Sequence, residues 1–132
     1  MPIAVEDQLA IQQLYARYNH AIDSGNGAGW AATFAVDGVF TSASGTFTGT
    51  QQLAEFATGF GSRLKARHWT NNLIVEGDNA KATGSCYLVL FLLTPGEKPP
   101  ANILTTAIYN DVLSKSADGS WHFTSRTVTG DA

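Results

Sequence analysis

The sequence predicts an α+β domain in which helices come first and an antiparallel, curved sheet follows. Three observations predict it. Apolar residues recur at helical spacing in three segments, 5–23, 28–35 and 50–64. Near Arg67 the period changes from that of a helix to that of a strand and stays so to the end. The second half is punctuated by hairpin-type turns, Gly77-Asp78-Asn79 and Ala117-Asp118-Gly119. Helices then strands, with no alternation, is the order of an α+β fold with its helices on one side of the sheet.

The first helix is expected over 5–23: Glu6 and Asp7 suit its N-terminus, and Ile11, Leu14, Tyr18 and Ile22 form one stripe. Ser24-Gly25-Asn26-Gly27 stops it. A short helix over 28–35 carries Trp30 and Phe34 on one side, and Asp37-Gly38 is a turn. A short strand over 39–42 and a turn with a brief strand over 45–49 lead to a third helix over 50–64. Its apolar side is Leu53, Phe56 or Ala57, Phe60 and Leu64. Strands follow at 67–76, 80–93, 103–114 and 121–129, with an exposed loop from Thr94 to Pro100. Repeats, low-complexity tracts and linkers are absent, so 1–132 reads as one domain.

A chain of 132 residues buries about two thirds of its unfolded surface, enough for a real core. Hydrophobic residues at 44% and charged residues at 14% argue against disorder. A net charge of −3 without a basic stripe gives no footprint for nucleic acid. The single cysteine, Cys86, can form no intrachain disulfide; inside an apolar run it reads as a small buried hydrophobe. Zinc-type Cys/His spacing and Gly-rich nucleotide fingerprints are missing, so no metal and no cofactor are expected. The N-terminus lacks the regions of a signal peptide, and the run Tyr87 to Leu93 is too short to span a bilayer. The expectation is a soluble cytoplasmic protein without a membrane partner. Cys86 to Leu93 is apolar on both strand faces, where a half-solvated sheet would alternate. A homodimer, or a higher homo-oligomer, through the sheet is therefore expected.

The chemistry concentrates in Arg67-His68-Trp69-Thr70-Asn71-Asn72, a polar cluster opening an otherwise apolar strand. Hydrogen-bonding groups in such a place need partners or a ligand. On a regular strand His68, Thr70 and Asn72 share one face, and Trp69, Asn71 and Leu73 the other. The candidate partners of His68 are distant in sequence: Tyr18, Asp23 and Arg126. Each also has a bland reading. His68 can be structural, and Asp23 a solvated carboxylate ending the first helix, where the dipole disfavours it. Tyr18 is a core ring whose hydroxyl reaches either a ligand or a backbone group, and Arg126 can be an exposed strand arginine. His20 and His122 read as solvated and structural respectively.

Tyr18-x-x-x-x-Asp23, Trp30-x-x-x-Phe34-x-x-Asp37-Gly38-Val39-Phe40, Arg67-His68-x-Thr70-Asn71 and Gly119-x-Trp121-x-Phe123-x-x-Arg126 together resemble the SnoaL-like branch of the nuclear transport factor 2-like superfamily. The resemblance covers nearly the whole chain and rests on the order and spacing of these segments. It implies a conical α+β barrel, a bent sheet around three helices enclosing a deep apolar pocket. Within the branch the chain is most similar to scytalone dehydratase, bile acid 7α-dehydratase and hexachlorocyclohexane dehydrochlorinase. By that resemblance His68 and Asp23 form a catalytic dyad, Tyr18 lies beside the substrate, and Arg126 stabilises a departing anion. Phe40 replaces a pocket tryptophan, and the second histidine and second tyrosine of scytalone dehydratase have no match. The implied activity is a cofactor-independent lyase, a dehydratase-type elimination on a small cyclic or aromatic hydrophobic molecule. Trp30, Phe34, Phe40, Phe56, Phe60 and Asn72 are the expected substrate-binding residues. The alternatives are an isomerase or polyketide cyclase in the same pocket, or a non-catalytic small-ligand-binding or accessory subunit.

Overall fold

The computed structural model describes residues 2–132. Its elements run α1 (Val5–Asp23), α2 (Gly27–Ala31), β1 (Phe34–Ser42), β2 (Gly45–Thr48), α3 (Gly49–Arg63), β3 (Ala66–Gly77), β4 (Lys81–Leu93), β5 (Ala101–Lys115) and β6 (Trp121–Gly130). The strands form one sheet in the order β2-β1-β6-β5-β4-β3. Neighbours are antiparallel except β1 and β6, which run parallel. This is the expected α+β architecture, three helices packed on one six-stranded sheet. The sheet is curled but not closed: β2 and β3 are its two edges.

α1 keeps the bounds its stripe predicts, because Ile11, Leu14, Tyr15, Tyr18, Ala21 and Ile22 recur every three or four residues and are all buried. Tyr18 packs edge-on to Tyr109 and Phe123, with centroids 5.9 and 5.7 Å apart. Near the other end of α1, Asp7 receives Trp121 Nε1 at 3.0 Å and Lys115 Nζ at 3.0 Å, which ties the helix to β5 and β6.

Two expectations are corrected. The second helix ends at Ala31, and Phe34 belongs to β1, not to a helix running to 35. The Thr33 hydroxyl turns back onto Trp30 O at 2.7 Å, while Thr33 O accepts Phe123 N–H at 2.9 Å. Pairing with β6 thus captures residues whose helix preference is weak. Asp37-Gly38 is an irregularity within β1: Phe34 pairs with Phe123 and Val39 with Ser125, so five steps on β1 match two on β6. A Cβ at position 38 would lie 2.8 Å from Phe34 Cβ and 2.9 Å from Ala35 O, which only Gly38 avoids.

β3 also departs from regular alternation. Asn71 pairs with Tyr87 and Ile74 with Ser85, so Asn72 and Leu73 together oppose Cys86. Asn72 sits at φ 55°, a left-handed conformation that asparagine tolerates better than most residues. This bulge re-aims the strand. His68 is buried, with Thr70, Leu73 and Val75 half-buried on the inner side, while Trp69, Asn71, Asn72 and Ile74 are exposed.

Candidate functional site

The last residue of α1 and the start of β3 meet directly. Asp23 Oδ1 lies 2.6 Å from His68 Nδ1, and the His68 backbone N–H donates to Asp23 Oδ1 and Oδ2 at 3.1 Å each. A carboxylate is out of place at a helix C-terminus, where the backbone dipole is negative. Here the donors from β3 compensate it. Because a carboxylate can only accept, Nδ1 carries a ring hydrogen, and in the neutral ring the lone pair is on Nε2. Both side chains are sheltered, 5% exposed for His68 and 12% for Asp23. The Phe60 ring lies against the imidazole, centroids 5.5 Å apart.

The dyad opens onto a cavity of about 990 Å³ between α1 and β3. α1 contributes Gln12, Tyr15, Asn19 and Asp23; β3 contributes Arg67, His68, Thr70 and Leu73; Cys86 comes from β4. Leu73 lies on this wall because of the bulge, and Asn72, the expected binding residue, is instead turned out to solvent at its apex. Asn19 Nδ2 donates to Thr70 Oγ1 at 3.0 Å.

The expected aromatic lining lies elsewhere. Trp30, Phe34, Phe40 and Phe56 pack on one another, Trp30 at 5.0 Å from Phe34, 5.1 Å from Phe40 and 5.5 Å from Phe56. These rings fill the space between α2, α3 and β1 and do not line the cavity. Flat rings close-pack readily, so aromatic residues alone do not signal a void. Of the five, only Phe60 reaches the dyad.

Tyr18 and Arg126 stand one layer behind the cavity wall. Arg126 is fully buried, with Nε 3.0 Å from Asp111 Oδ1 and Nη2 3.5 Å from Cys86 Sγ. Its guanidinium carbon sits 3.5, 4.2 and 4.8 Å from the ring centroids of Tyr109, Tyr18 and Tyr15. Asp111 also accepts the Tyr15 hydroxyl. Burial pushes the Asp111 carboxyl above the usual carboxylate range, opposed by Arg126 and by the Tyr15 hydrogen bond. Burial likewise raises the Tyr15, Tyr18 and Tyr109 hydroxyls above the ordinary phenol range. Cys86 is the buried small residue expected, its thiol pushed up to about 11 by burial. Arg126 is therefore neither the exposed strand arginine of the bland reading nor a group on the cavity surface.

Sequence reasoning missed Tyr15, Asn19 and Asp111. Tyr15 and Asn19 were signalled by helical spacing, being three residues before Tyr18 and four before Asp23 on the same side of α1. Nothing local marks Asp111; the β5–β6 register, which sets it opposite Arg126, makes it a partner.

The family model described as a SnoaL-like domain matches residues 4–127. No curated protein sequence matches the chain. A structure of an Asp-to-Asn variant of Rv3472, a protein of unknown function from Mycobacterium tuberculosis, is similar at TM-score 0.87 and 34% identity, over 95% of this chain and 72% of that one. A protein of unknown function with a cystatin-like fold from Nostoc punctiforme is similar at TM-score 0.87 and 26% identity, over 99% and 96%. A candidate scytalone dehydratase from Novosphingobium aromaticivorans shares the fold at TM-score 0.82 and 19% identity, over 97% and 86%. With a match spanning almost all of its length, a curled sheet on three helices and the segments its sequence carries, the chain belongs to the SnoaL-like domain family.

Proposed function

We propose that the protein is a cofactor-independent lyase in which His68 removes a proton from carbon, on a small cyclic or aromatic hydrophobic substrate. The observation that carries this reading is the 2.6 Å contact between His68 Nδ1 and Asp23 at the wall of a cavity large enough for such a molecule. Asp23 fixes the tautomer and stabilises the imidazolium that forms when Nε2 takes the proton. The carbon–hydrogen electron pair moves toward an adjacent carbonyl; it then returns to form the new double bond as the group on the next carbon leaves, either as a small anion or as a hydroxyl that takes the proton back from His68 Nε2 and departs as water. Tyr18 and Arg126 support the wall in this scheme, and Arg126 acts on the cavity through Tyr15 and Cys86.

The test uses 1-indanone, whose C2 protons are acidic, in D₂O. Wild-type protein is expected to speed C2 exchange, followed by NMR, and His68→Gln to lose about 10² to 10⁴ of that acceleration. Wild-type exchange no faster than buffer, or a fully active His68→Gln, overturns the assignment of the base. Release of water from 3-hydroxy-1-indanone separates elimination from isomerisation: exchange without dehydration removes the lyase and leaves the base.

We infer also that the outer face of the sheet is covered by a second copy of the chain. Trp69, Ile74, Tyr87 and Ile103 are 63%, 64%, 52% and 63% exposed, and Trp69 packs edge-to-face against Phe91 with centroids 4.8 Å apart. Between Arg67 and Glu76 at its two ends, the outward positions of β3, β4, β5 and β6 carry no charge. A neutral apolar face meets its own copy without like-charge repulsion, as a two-fold interface requires.

A further inference from the structure

Arg67 starts from the outer face of the sheet, but its guanidinium does not stay there. β3 is an edge strand, paired with β4 alone. Along such a strand the backbone groups point by turns to the partner strand and to the open edge. Lys65 O takes the first direction and accepts Leu93 N–H at 2.8 Å. His68 N–H takes the second and reaches Asp23 at 3.1 Å. Ala66 O, one peptide on from Lys65 O, points the same way as His68 N–H. Arg67 Nη1 donates to that oxygen at 3.3 Å. The side chain thus folds over the edge of the sheet and brings its charge to the mouth of the cavity, where Arg67 is part of the lining.

That charge has no acidic partner. The ion pairs among the described residues join His68 to Asp23, Lys115 to Asp7 and Arg126 to Asp111, and leave Arg67 out. Asp23, the acid in the cavity lining, is occupied by the ring and backbone of His68. A guanidinium carries five N–H donors, and the bond to Ala66 O uses one. Arg67 is also exposed, so the remaining donors are open to an entering molecule. His20, exposed on the α1 side of the mouth, is a second basic group there. Glu6, Asp7, Glu76 and Asp78 stand at the other ends of α1 and β3, which meet where Ala4 N–H donates to Asn79 Oδ1 at 3.1 Å. A chain of net charge −3 therefore keeps its cations at the dyad end of the groove between α1 and β3 and its acids at the far end. The negative end of the α1 dipole and Asp23 act against an anion at the dyad end, and the donors of His68 offset both.

We propose that Arg67 recognises a carboxylate on the substrate. Its planar fork matches the two carboxylate oxygens. At the mouth the anion keeps water on its outer side, so little desolvation opposes the contact. The ring of the substrate then lies inward, against Ala16 and Leu73. The substrate class narrows from a hydrophobic ring to a ring that bears a carboxylate on its solvent side. That His68 deprotonates this acid rests on the proposed function; its selection by Arg67 does not.

Calorimetric titration of the full chain tests this with 1-indanones bearing a carboxylate at C4, C5 or C6, each compared with the carboxamide of the same shape. At least one acid is expected to bind about tenfold more tightly than its amide, the worth of a hydrogen bond to a charged group, and to lose much of that advantage in roughly 0.5 M salt. Arg67→Gln is expected to abolish the advantage, and Arg67→Lys, which keeps the charge without the fork, to keep only part of it. Lys65→Gln, a neighbouring cation outside the lining, is expected to keep it. Acids that bind no better than their amides, an advantage that survives Arg67→Gln, or one lost equally in Lys65→Gln, overturn the proposal. C2 exchange of 1-indanone by the wild-type protein separates the two readings. Acid preference without exchange removes the base and keeps the role of Arg67; exchange without acid preference does the reverse.

Discussion

Arg126 holds a full positive charge sealed from bulk solvent, and what it faces makes that tolerable. Asp111, three tyrosine rings and the Cys86 sulfur surround it. Truncating one member of a buried ion pair strands the other, at a cost of about 3–5 kcal/mol. Arg126→Leu is therefore expected to lose about that much stability in urea unfolding, and Arg126→Leu with Asp111→Leu to recover a good part of it. A loss in the double variant equal to the sum of the losses in Arg126→Leu and Asp111→Leu would show that the two charges do not depend on each other. Asp7 contributes to the response to acid. The Trp121 indole hydrogen bond, then Lys115, holds its carboxyl below the usual carboxylate range. Its folded value lies beneath its unfolded one, so its contribution is complete above pH ~3.9 and drains as the pH falls through the folded value. Asp78 and Asp118 are lowered by their own turn hydrogen bonds and act in the same direction. Trp121→Phe is expected to raise the pH midpoint of acid unfolding, followed by circular dichroism.

At the scale of elements, Gly84 on the inner side of β4 shows how a strand makes room for a helix. A Cβ there would collide with the Tyr15 hydroxyl. Gly84→Ala is expected to cost about 1–3 kcal/mol by overpacking and to break the Tyr15–Asp111 contact; a Tyr15→Phe background should relieve part of that cost. Thermal unfolding of the two singles and the double measures the coupling. How much of this was legible in the sequence follows the same division. α1 and the long strands announced themselves through uninterrupted periods of apolar residues, and α3 through Leu53 and Ala57. β1 did so only in its second half, expected over 39–42, because Phe34 to Gly38 carries no alternation and is a strand only through its parallel pairing with β6. The Asn72 bulge was invisible for a related reason: Asn71-Asn72 reads as polar on either face until the partner strand sets the register. His68 and Asp23 were identified through a family resemblance. Asn19 and Asp111 needed the packing of α1 on β3 and of β5 on β6, which no local pattern encodes. The aromatics misled because a ring that fills space and a ring that lines it look alike in a sequence.

For the whole molecule, the association we infer rests on the outer sheet face. Trp69→Glu, placed beside Phe91 on that face, is expected to convert a dimer to a monomer in multi-angle light scattering, with circular dichroism unchanged. A wild-type monomer at micromolar concentration, or a variant that still dimerises, refutes the inferred interface. The bulge in β3 bears on this assembly as well as on the cavity. β3 borders the apolar face and is also the unpaired margin of the sheet, where a straight ribbon of open peptide groups would invite another chain to continue the hydrogen bonding indefinitely. The left-handed kink at Asn72 interrupts that ribbon midway. The residue that turns Leu73 inward thus also leaves the margin a poor template for fibril growth, and favours a particle of finite size.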